Sequence, residues 1–397
     1  MTAKLTPRGL TRRLKRHLKG REQRFMASCA PGFEQLLAAE VKKLQGAGDL
    51  ATFAGGVEFT GPLETLYHAN LQLRTANRVL LRLKEFLAQS HPMLFDHARK
   101  LPWELFTGFA ADAFIEVSTR KSRLLYPQQV ARTVHDAMLA RLGPLGLAPD
   151  LSQRSSLRFY ARLYQDRCTL SVDTSGEHLH KRGYRLGRFP APIRETLAAA
   201  ILMAARIERH DLILDPMCGS GTLAIEAALL ARRLPPGRLR SFAFESLPFH
   251  RHSKWLRFRA EAEAAAMARS PTAIVAGDID PRAVEAAREG AERAAVRRDV
   301  TIETLDALAL DLGAYAAQRP LLVSNLPYGR RLGDEAQGRS LHNRLASLLG
   351  PEASGWRYAL ITNRPHWLIE AGLRPAAQWS FRSGGLRVYL VTGAVPG

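Results

Sequence analysis

Cysteine is scarce in this chain: Cys29, Cys168 and Cys218 are the three in 397 residues, far apart and without a C-x-x-C pair. That spacing excludes a disulfide framework, gives no zinc pattern and fits a reducing cytoplasm. No run of about 18 apolar residues occurs, which excludes a spanning helix. The N-terminus lacks the apolar h-region and small-residue cleavage site of a secretory signal. Acids are also few, 37 against 57 Lys and Arg, for a net charge of +20. Such an excess favours a polyanionic partner, nucleic acid first, through release of condensed counterions. What is present, 46% apolar residues over a chain of this length, is enough for two or three cores.

The positive charge is unevenly placed. Residues 4–24 carry nine Lys and Arg against the single acid Glu22, a block expected to repel itself and stay mobile until it meets phosphates. From Arg24 onward, strand and helix signals alternate as β-α-β-α-β to about Phe86, a small α+β unit. A second unit runs from about Gln89 to Asp173 and is expected to hold a helix over Pro127 to Leu142. In it Arg120, Lys121 and Arg123 follow a strand, and Arg158, Tyr160, Arg162 and Tyr164 alternate with Phe159, Ala161 and Leu163. Period-two alternation puts the Arg and Tyr side chains on one face, where charge and stacking surface could meet RNA. Lys181, Arg182 and Arg185, in a linker-like segment before the third unit, are expected RNA contacts as well. The same segment contains His178 and His180, but no third ligand stands at a recognisable spacing, so no metal is expected.

The chemistry concentrates after about Pro190, where strands and helices alternate as in an open, largely parallel sheet. The short apolar strand Leu212 to Asp215 runs through Pro216-Met217-Cys218-Gly219-Ser220-Gly221-Thr222 into a helix. Its glycines allow close backbone approach to a ligand. No third glycine is present for a pyrophosphate cradle, which disfavours a nicotinamide dinucleotide and suits a phosphate-free cation such as S-adenosylmethionine. A second strand ends in Asp278-Ile279-Asp280-Pro281, and a carboxylate there can accept ribose hydroxyls, Asp280 being read as better placed than Asp278. Asp280 falls 65 residues after Asp215, where about 20 is usual. The excess, Arg232 to Arg259, is strongly basic and reads as an RNA-facing flap. Asp306 ends a third strand and could accept the adenine amino group. Asn325-Leu326-Pro327-Tyr328 ends a fourth: Asn325 and the Leu326 carbonyl can accept the hydrogens of an exocyclic amine, Pro327 fixes the backbone and Tyr328 stacks on the base. Cys218 lies in the cofactor turn without a partnered His and reads as a turn residue, not a nucleophile.

With these strand ends in place, the chain resembles the class I S-adenosylmethionine-dependent methyltransferases, and more closely the THUMP-domain guanine-N2 RNA methyltransferases. It is most similar to the N-terminal half of the bacterial bifunctional large-subunit rRNA methyltransferases. The resemblance rests on Leu179 to Arg185, Glu195 to Ala200, Asp215 to Thr222, Asp278 to Pro281 and Ser324 to Gly333. It implies a Rossmann-like class I methyltransferase domain at 191–397. Before it would come a basic flexible extension (1–24), a ferredoxin-like element (25–88), a THUMP RNA-binding domain (89–175) and a linker (176–190). S-adenosylmethionine would be held by Thr196, Asp215, Cys218, Gly219, Ser220, Gly221, Asp278, Asp280, Asp306 and Asn325. The implied reaction is methylation of a guanine N2 in large-subunit rRNA. The alternatives are the same reaction on tRNA, or an RNA-binding ribosome-assembly factor without activity. Leu326 stands where the nearest family has its first proline. The chain also ends where the bifunctional enzymes continue into a second methyltransferase, so one activity is expected.

Overall fold

The computed structural model describes residues 4–185, 193–315, 317–327, 335–383 and 385–395. The first half holds α1 (Pro7–His17), β1 (Gln23–Ser28), α2 (Glu34–Val41), β2 (Leu50–Phe53), β3 (Gly56–Gly61), α3 (Thr65–Gln72) and β4 (Arg78–Leu87). There follow α4 (His91–Arg99), α5 (Glu104–Thr107), β5 (Asp112–Arg120), α6 (Pro127–Leu142), β6 (Asp150–Leu151), β7 (Arg158–Tyr164) and β8 (Arg167–Asp173). The strands form one eight-stranded sheet in the order β2-β3-β1-β4-β8-β7-β5-β6. Its first part is ferredoxin-like, and β4 pairs antiparallel with β8, so the sheet continues across the expected boundary near residue 88. β2 is an addition to the expected order. It is an edge strand whose Ala51 and Thr52 are exposed, so it shows no apolar alternation. On β7 the alternation holds: Phe159, Ala161 and Leu163 are buried, and Arg158, Tyr160, Arg162 and Tyr164 face outward.

The basic segment expected to be mobile is instead helical. Thr6 caps α1 by accepting from the Gly9 amide at 3.1 Å, Pro7 occupies its first turn, and Lys15, Arg16 and His17 sit at its carboxyl end, where the helix dipole favours cations. Leu10 and Leu18 are buried and Leu14 packs partly against the same core. This stripe at spacings of four was masked by the charge count. Arg13 pairs with the buried Glu104, which also accepts from Arg141 at 2.9 Å.

The second half holds α7 (Glu195–Ala204), β9 (Leu212–Asp215), α8 (Thr222–Ala231), α9 (His252–Ala264), β10 (Ala273–Asp278), α10 (Pro281–Arg293), β11 (Thr301–Thr304) and β12 (Pro320–Asn325). It closes with α11 (Glu335–Leu348), β13 (Arg357–Thr362), α12 (Pro365–Glu370), β14 (Ala377–Ser383) and β15 (Leu386–Ala394). The strand order is β11-β10-β9-β12-β13-β15-β14, parallel except for the pairings of β15. This is a Rossmann-like sheet, buried on both faces as its apolar strands require. Its order reverses between β9 and β12, so a ligand crevice is expected at their carboxyl ends.

The insertion between α8 and β10 is not an RNA-facing flap. Its Phe242, Phe244, Leu247, Phe249, Trp255 and Phe258 are buried in the core of the first half, with Phe244 and Trp255 at 5.0 Å and Tyr67 and Phe244 at 4.9 Å between ring centroids. Most of its cations are spent internally. Arg240 donates to the carbonyls of Glu177 and His178, both at 2.7 Å. Arg232 meets Asp299 at 3.0 Å, Arg238 donates to the Ala294 carbonyl, and Lys254 meets Glu64 at 2.6 Å. The segment is a strut fastening the two halves together.

Candidate active site

The turn after β9 is built by backbone geometry. Gly219 and Gly221 take φ of +54° and +73°, left-handed conformations costly to a residue with a Cβ. A Cβ at Gly221 would lie 2.8 Å from the Cβ of Ala287 on α10. The Cys218 amide donates to the Gly277 carbonyl at 2.8 Å, and the Gly219 amide to Asp278 Oδ2 at 2.8 Å. These bonds tie the turn to the end of β10. Cys218 is buried, and burial, reinforced by Asp215 and Asp278, holds its thiol well above its ordinary range. An inert thiol in the turn agrees with the reading of Cys218 as no nucleophile.

The two carboxylates at the end of β10 differ in their partners. Asp280 is the N-cap of α10, accepting from the Arg282 amide at 2.9 Å and from its guanidinium at 3.0 Å; Arg282 thereby holds its carboxyl below the usual value. Asp278 ends the strand itself, faces the glycine turn and also accepts from the Asp280 amide at 3.0 Å. The D-x-D-P spacing makes the second Asp a helix cap, a use that strand-end reasoning alone missed. Asp306, exposed beyond β11, accepts from the Leu308 amide at 2.9 Å. Thr196 donates its hydroxyl to Asn77 of the first half at 2.9 Å.

At the reversal point the edge is lined with buried acceptors that nothing among the described residues satisfies: both carboxylate oxygens of Asp215, the hydroxyls of Ser220 and Ser324, and Oδ1 of Asn325. A buried polar atom without a partner costs on the order of 1–3 kcal/mol, so several at one edge mark a ligand site. Burial pushes the Asp215 carboxyl up to about 8; the Met217 amide and Ser324 hydroxyl lie near enough to oppose this without closing a hydrogen bond, and Asp278 adds to it. Leu326 is buried and its amide donates to the Ile361 carbonyl at 3.0 Å, which carries the β12–β13 ladder one residue past Asn325. Tyr328 lies outside the described residues. Asn363, just beyond β13, was missed: its Oδ1 is also buried and unpartnered. The signal was a polar residue closing the apolar run Tyr358 to Ile361.

The three basic residues of the linker-like segment separate. Lys181 is exposed beside Glu177 at 2.5 Å. Arg182 is 2% exposed, donating to the Arg74 carbonyl at 2.6 Å, the Leu179 carbonyl at 3.0 Å and Glu226 at 3.4 Å. Arg185 donates to Thr222 at 2.5 Å and meets Glu195 at 3.4 Å. Arg182 is therefore an internal brace, buried away from any RNA, and Arg185, part-exposed, is also braced by partners within the chain. Arg120, Lys121 and Arg123 are exposed, Arg123 lying 3.6 Å from Asp166. Between the halves runs an open groove of about 1280 Å³ whose lining includes Arg78, Arg154, Arg158, His178, Lys181 and Arg240. His180 on its wall is pushed down to about 4, first by burial and then by Arg194 and neighbouring cations.

A reversed, glycine-turned parallel sheet with unsatisfied acceptors at its carboxyl edge is the architecture of a Rossmann-like methyltransferase. The comparisons narrow the class: residues 182–380 match the model of the RMKL-like methyltransferase domain, and the chain belongs to that family. Residues 24–80 match the RlmL ferredoxin-like domain. The chain is 34% identical over 379 residues to the ribosomal RNA large subunit methyltransferase K/L of Syntrophotalea carbinolica, covering 93% of this chain and 53% of that protein. It thus spans about half the length of that relative. Among solved structures it is similar to a possible methylase from Clostridium difficile 630 (TM-score 0.85, 28% identity, 95% of this chain and 99% of that one). It is also similar to SMU.472 complexed with SAH (TM-score 0.84, 28% identity, 95% and 99%).

Proposed function

We propose that this chain transfers a methyl group from S-adenosylmethionine to the exocyclic N2 of a guanine in large-subunit rRNA. The observation that carries the reading is the group of buried, unpartnered acceptors at Asp215, Ser220, Ser324 and Asn325, at the reversal point of a methyltransferase sheet. The residues fit the cofactor. Glycine-opened backbone at 219 and 221 admits it, the Asp215 carboxyl can face its cationic end, Asp278 is freer than Asp280 for the ribose hydroxyls, and Asp306 is exposed beyond β11 for the adenine. Thr196 and Cys218 shape the walls.

When bound, the cofactor supplies an electrophilic methyl group on a sulfonium. The chain's part is to present the nucleophile. A guanine amine is a poor one because its lone pair is delocalised into the ring. Accepting its two N–H bonds at Asn325 Oδ1 and the Leu326 carbonyl raises electron density on nitrogen and fixes its direction, so positioning and electrostatics supply most of the rate. Pro327 restrains the backbone that aims those acceptors, and Tyr328 stacks on the extruded base. RNA reaches the site along the basic groove, with residues 89–175 acting as a THUMP RNA-binding unit and Arg120, Lys121, Arg123 and Lys181 contacting phosphates. The K/L designation of the 34% identical relative and the RlmL ferredoxin-like match favour rRNA over tRNA.

Asn325→Ala tests the chemistry. Single-turnover methylation at saturating RNA should slow by about 10²–10³ while cofactor affinity and melting temperature hold, by analogy with loss of one preorganised catalytic hydrogen-bonding group. Near-wild-type turnover in a stable variant would end the proposed role. Loss of activity in step with loss of stability would show that Asn325 only caps the strand.

A further inference from the structure

The parallel sheet has a second end, which the methyl-transfer reading leaves unused. At the amino-terminal edge of β12 and β13, opposite Asn325, a cleft of about 420 Å³ is lined in part by Arg206, Arg209, Arg319, Arg357, Tyr358 and Trp379. The four arginines come from three separate stretches of chain, the loop after α7 and the starts of β12 and β13, and the fold gathers them. Some clustered arginines are matched by acids, as Arg24 and Arg82 are by Glu58. Here, among the described residues, none of the four side chains has an ion-pair or hydrogen-bond partner. The acid beside them, Asp211, spends its carboxylate on the amides of Gln318 and Arg319 at 3.2 and 2.9 Å, and Glu208 does not line the cleft. Arg206 is held at φ +54°, in the left-handed region that non-glycine residues seldom occupy. His210 in the wall is held below its ordinary range, by burial first and with Arg357 and Arg319 contributing. Two aromatic residues complete the lining: half-buried Trp379, and Tyr358, whose hydroxyl is buried without a partner.

Four converging guanidiniums outnumber the one acid that acts on them, Asp211 beside Arg319, and favour a bound anion; their planar forks suit phosphate oxygens. An indole beside them adds a stacking surface for a base. We propose that this cleft is a second ligand site that binds a nucleotide, its phosphates held by Arg206, Arg209, Arg319 and Arg357 and its base set against Trp379. It is separate from the cofactor site, because the two lie at opposite ends of the same strands, about 17 Å apart for a strand of ordinary length. The nucleotide is either one residue of a bound RNA strand or a free nucleoside diphosphate; both present the same phosphate and base.

Calorimetric titration of the full chain, kept saturated with S-adenosylhomocysteine, decides the matter with three probes: UDP, inorganic pyrophosphate and a short single-stranded RNA. The arginines are exposed, so Arg209→Glu combined with Arg357→Glu should leave the melting curve in place. It should weaken UDP binding by about tenfold or more. Arg132→Glu, at an exposed position on α6 in the first half, should change it by about twofold at most, the share due to general charge. Trp379→Leu should weaken UDP while sparing pyrophosphate. If the oligonucleotide displaces UDP and binds at least about tenfold tighter, the site serves an RNA strand; if it does not displace UDP, the site serves a free nucleotide. Absence of UDP binding, with RNA binding left unchanged by the Arg209/Arg357 reversal, would overturn the proposal. So would equal losses in the Arg132 and Arg209/Arg357 variants, or UDP binding undiminished by the charge reversals.

Discussion

Asp215 shows how one side chain links folding to ligand binding. Its carboxyl is lifted from the ordinary 3.8 to about 8, so in the free protein at pH 7 it is mostly protonated. A carboxyl whose folded value is raised stabilises the fold most below its ordinary value, and that contribution is lost as pH rises through about 8. Asp215→Asn should therefore raise the melting temperature relative to wild type, by more at pH 9 than at pH 5. A cation bound against the carboxylate would expel the proton. Cofactor binding at pH 7 should release about one proton, measured by calorimetry in buffers of different ionisation enthalpy, and the Asn variant should release none. Pairwise equality of the two proteins would remove Asp215 from the cofactor's cationic end. The position of Asp215 was legible because an apolar strand, an acid and a glycine turn follow one another in sequence. The capping of α10 by Asp280 was not, because it depends on which amide the carboxylate meets.

Among the elements, the braces between the halves illustrate what a sequence hides. Arg182, Arg185 and Arg240 are indistinguishable by composition from phosphate contacts; they are internal because Arg182 and Arg240 meet carbonyls left over by the loops around Arg74 and Glu177, while Arg185 and Arg182 also meet Glu195 and Glu226. Removing one partner of a buried ion pair costs about 3–5 kcal/mol. Arg182→Ala should lower stability on that scale in denaturant unfolding, with Arg182→Leu and Glu226→Leu together recovering much of it; salt-dependent RNA binding should be unchanged in the folded protein. Helix α1 behaves oppositely. Its Arg8, Arg12, Lys15 and Arg16 are exposed at helical spacing and are free to meet phosphates. Reversing Arg8, Arg12 and Arg16 to Glu should flatten the slope of log affinity against log salt by about 0.7 per lost contact for single strands. An unchanged slope would show that α1 contributes packing alone. The helix was not legible in the sequence, because the density of charge masked the spacing of four in Leu10, Leu14 and Leu18.

Across the whole molecule the two cores interlock. Phe33 of the first half packs at 5.5 Å against Phe381 of β14, and the aromatic residues of the insertion fill the first half's core. The basic groove and the acceptor edge are thereby held in one frame, and the parallel order of strand ends made the second half readable. The join between the halves was not readable, since it depends on aromatics and arginines scattered over more than a hundred positions. We propose that this frame presents a guanine amine to the methyl donor. The most direct test is to incubate the purified chain with methyl-labelled S-adenosylmethionine and protein-free large-subunit rRNA, digest the RNA to nucleosides and identify the label by mass spectrometry, with Asn325→Ala in parallel. Label should appear in N2-methylguanosine and be lost in the variant. Label in N6-methyladenosine, or N2-methylguanosine formed equally well by the variant, would contradict it.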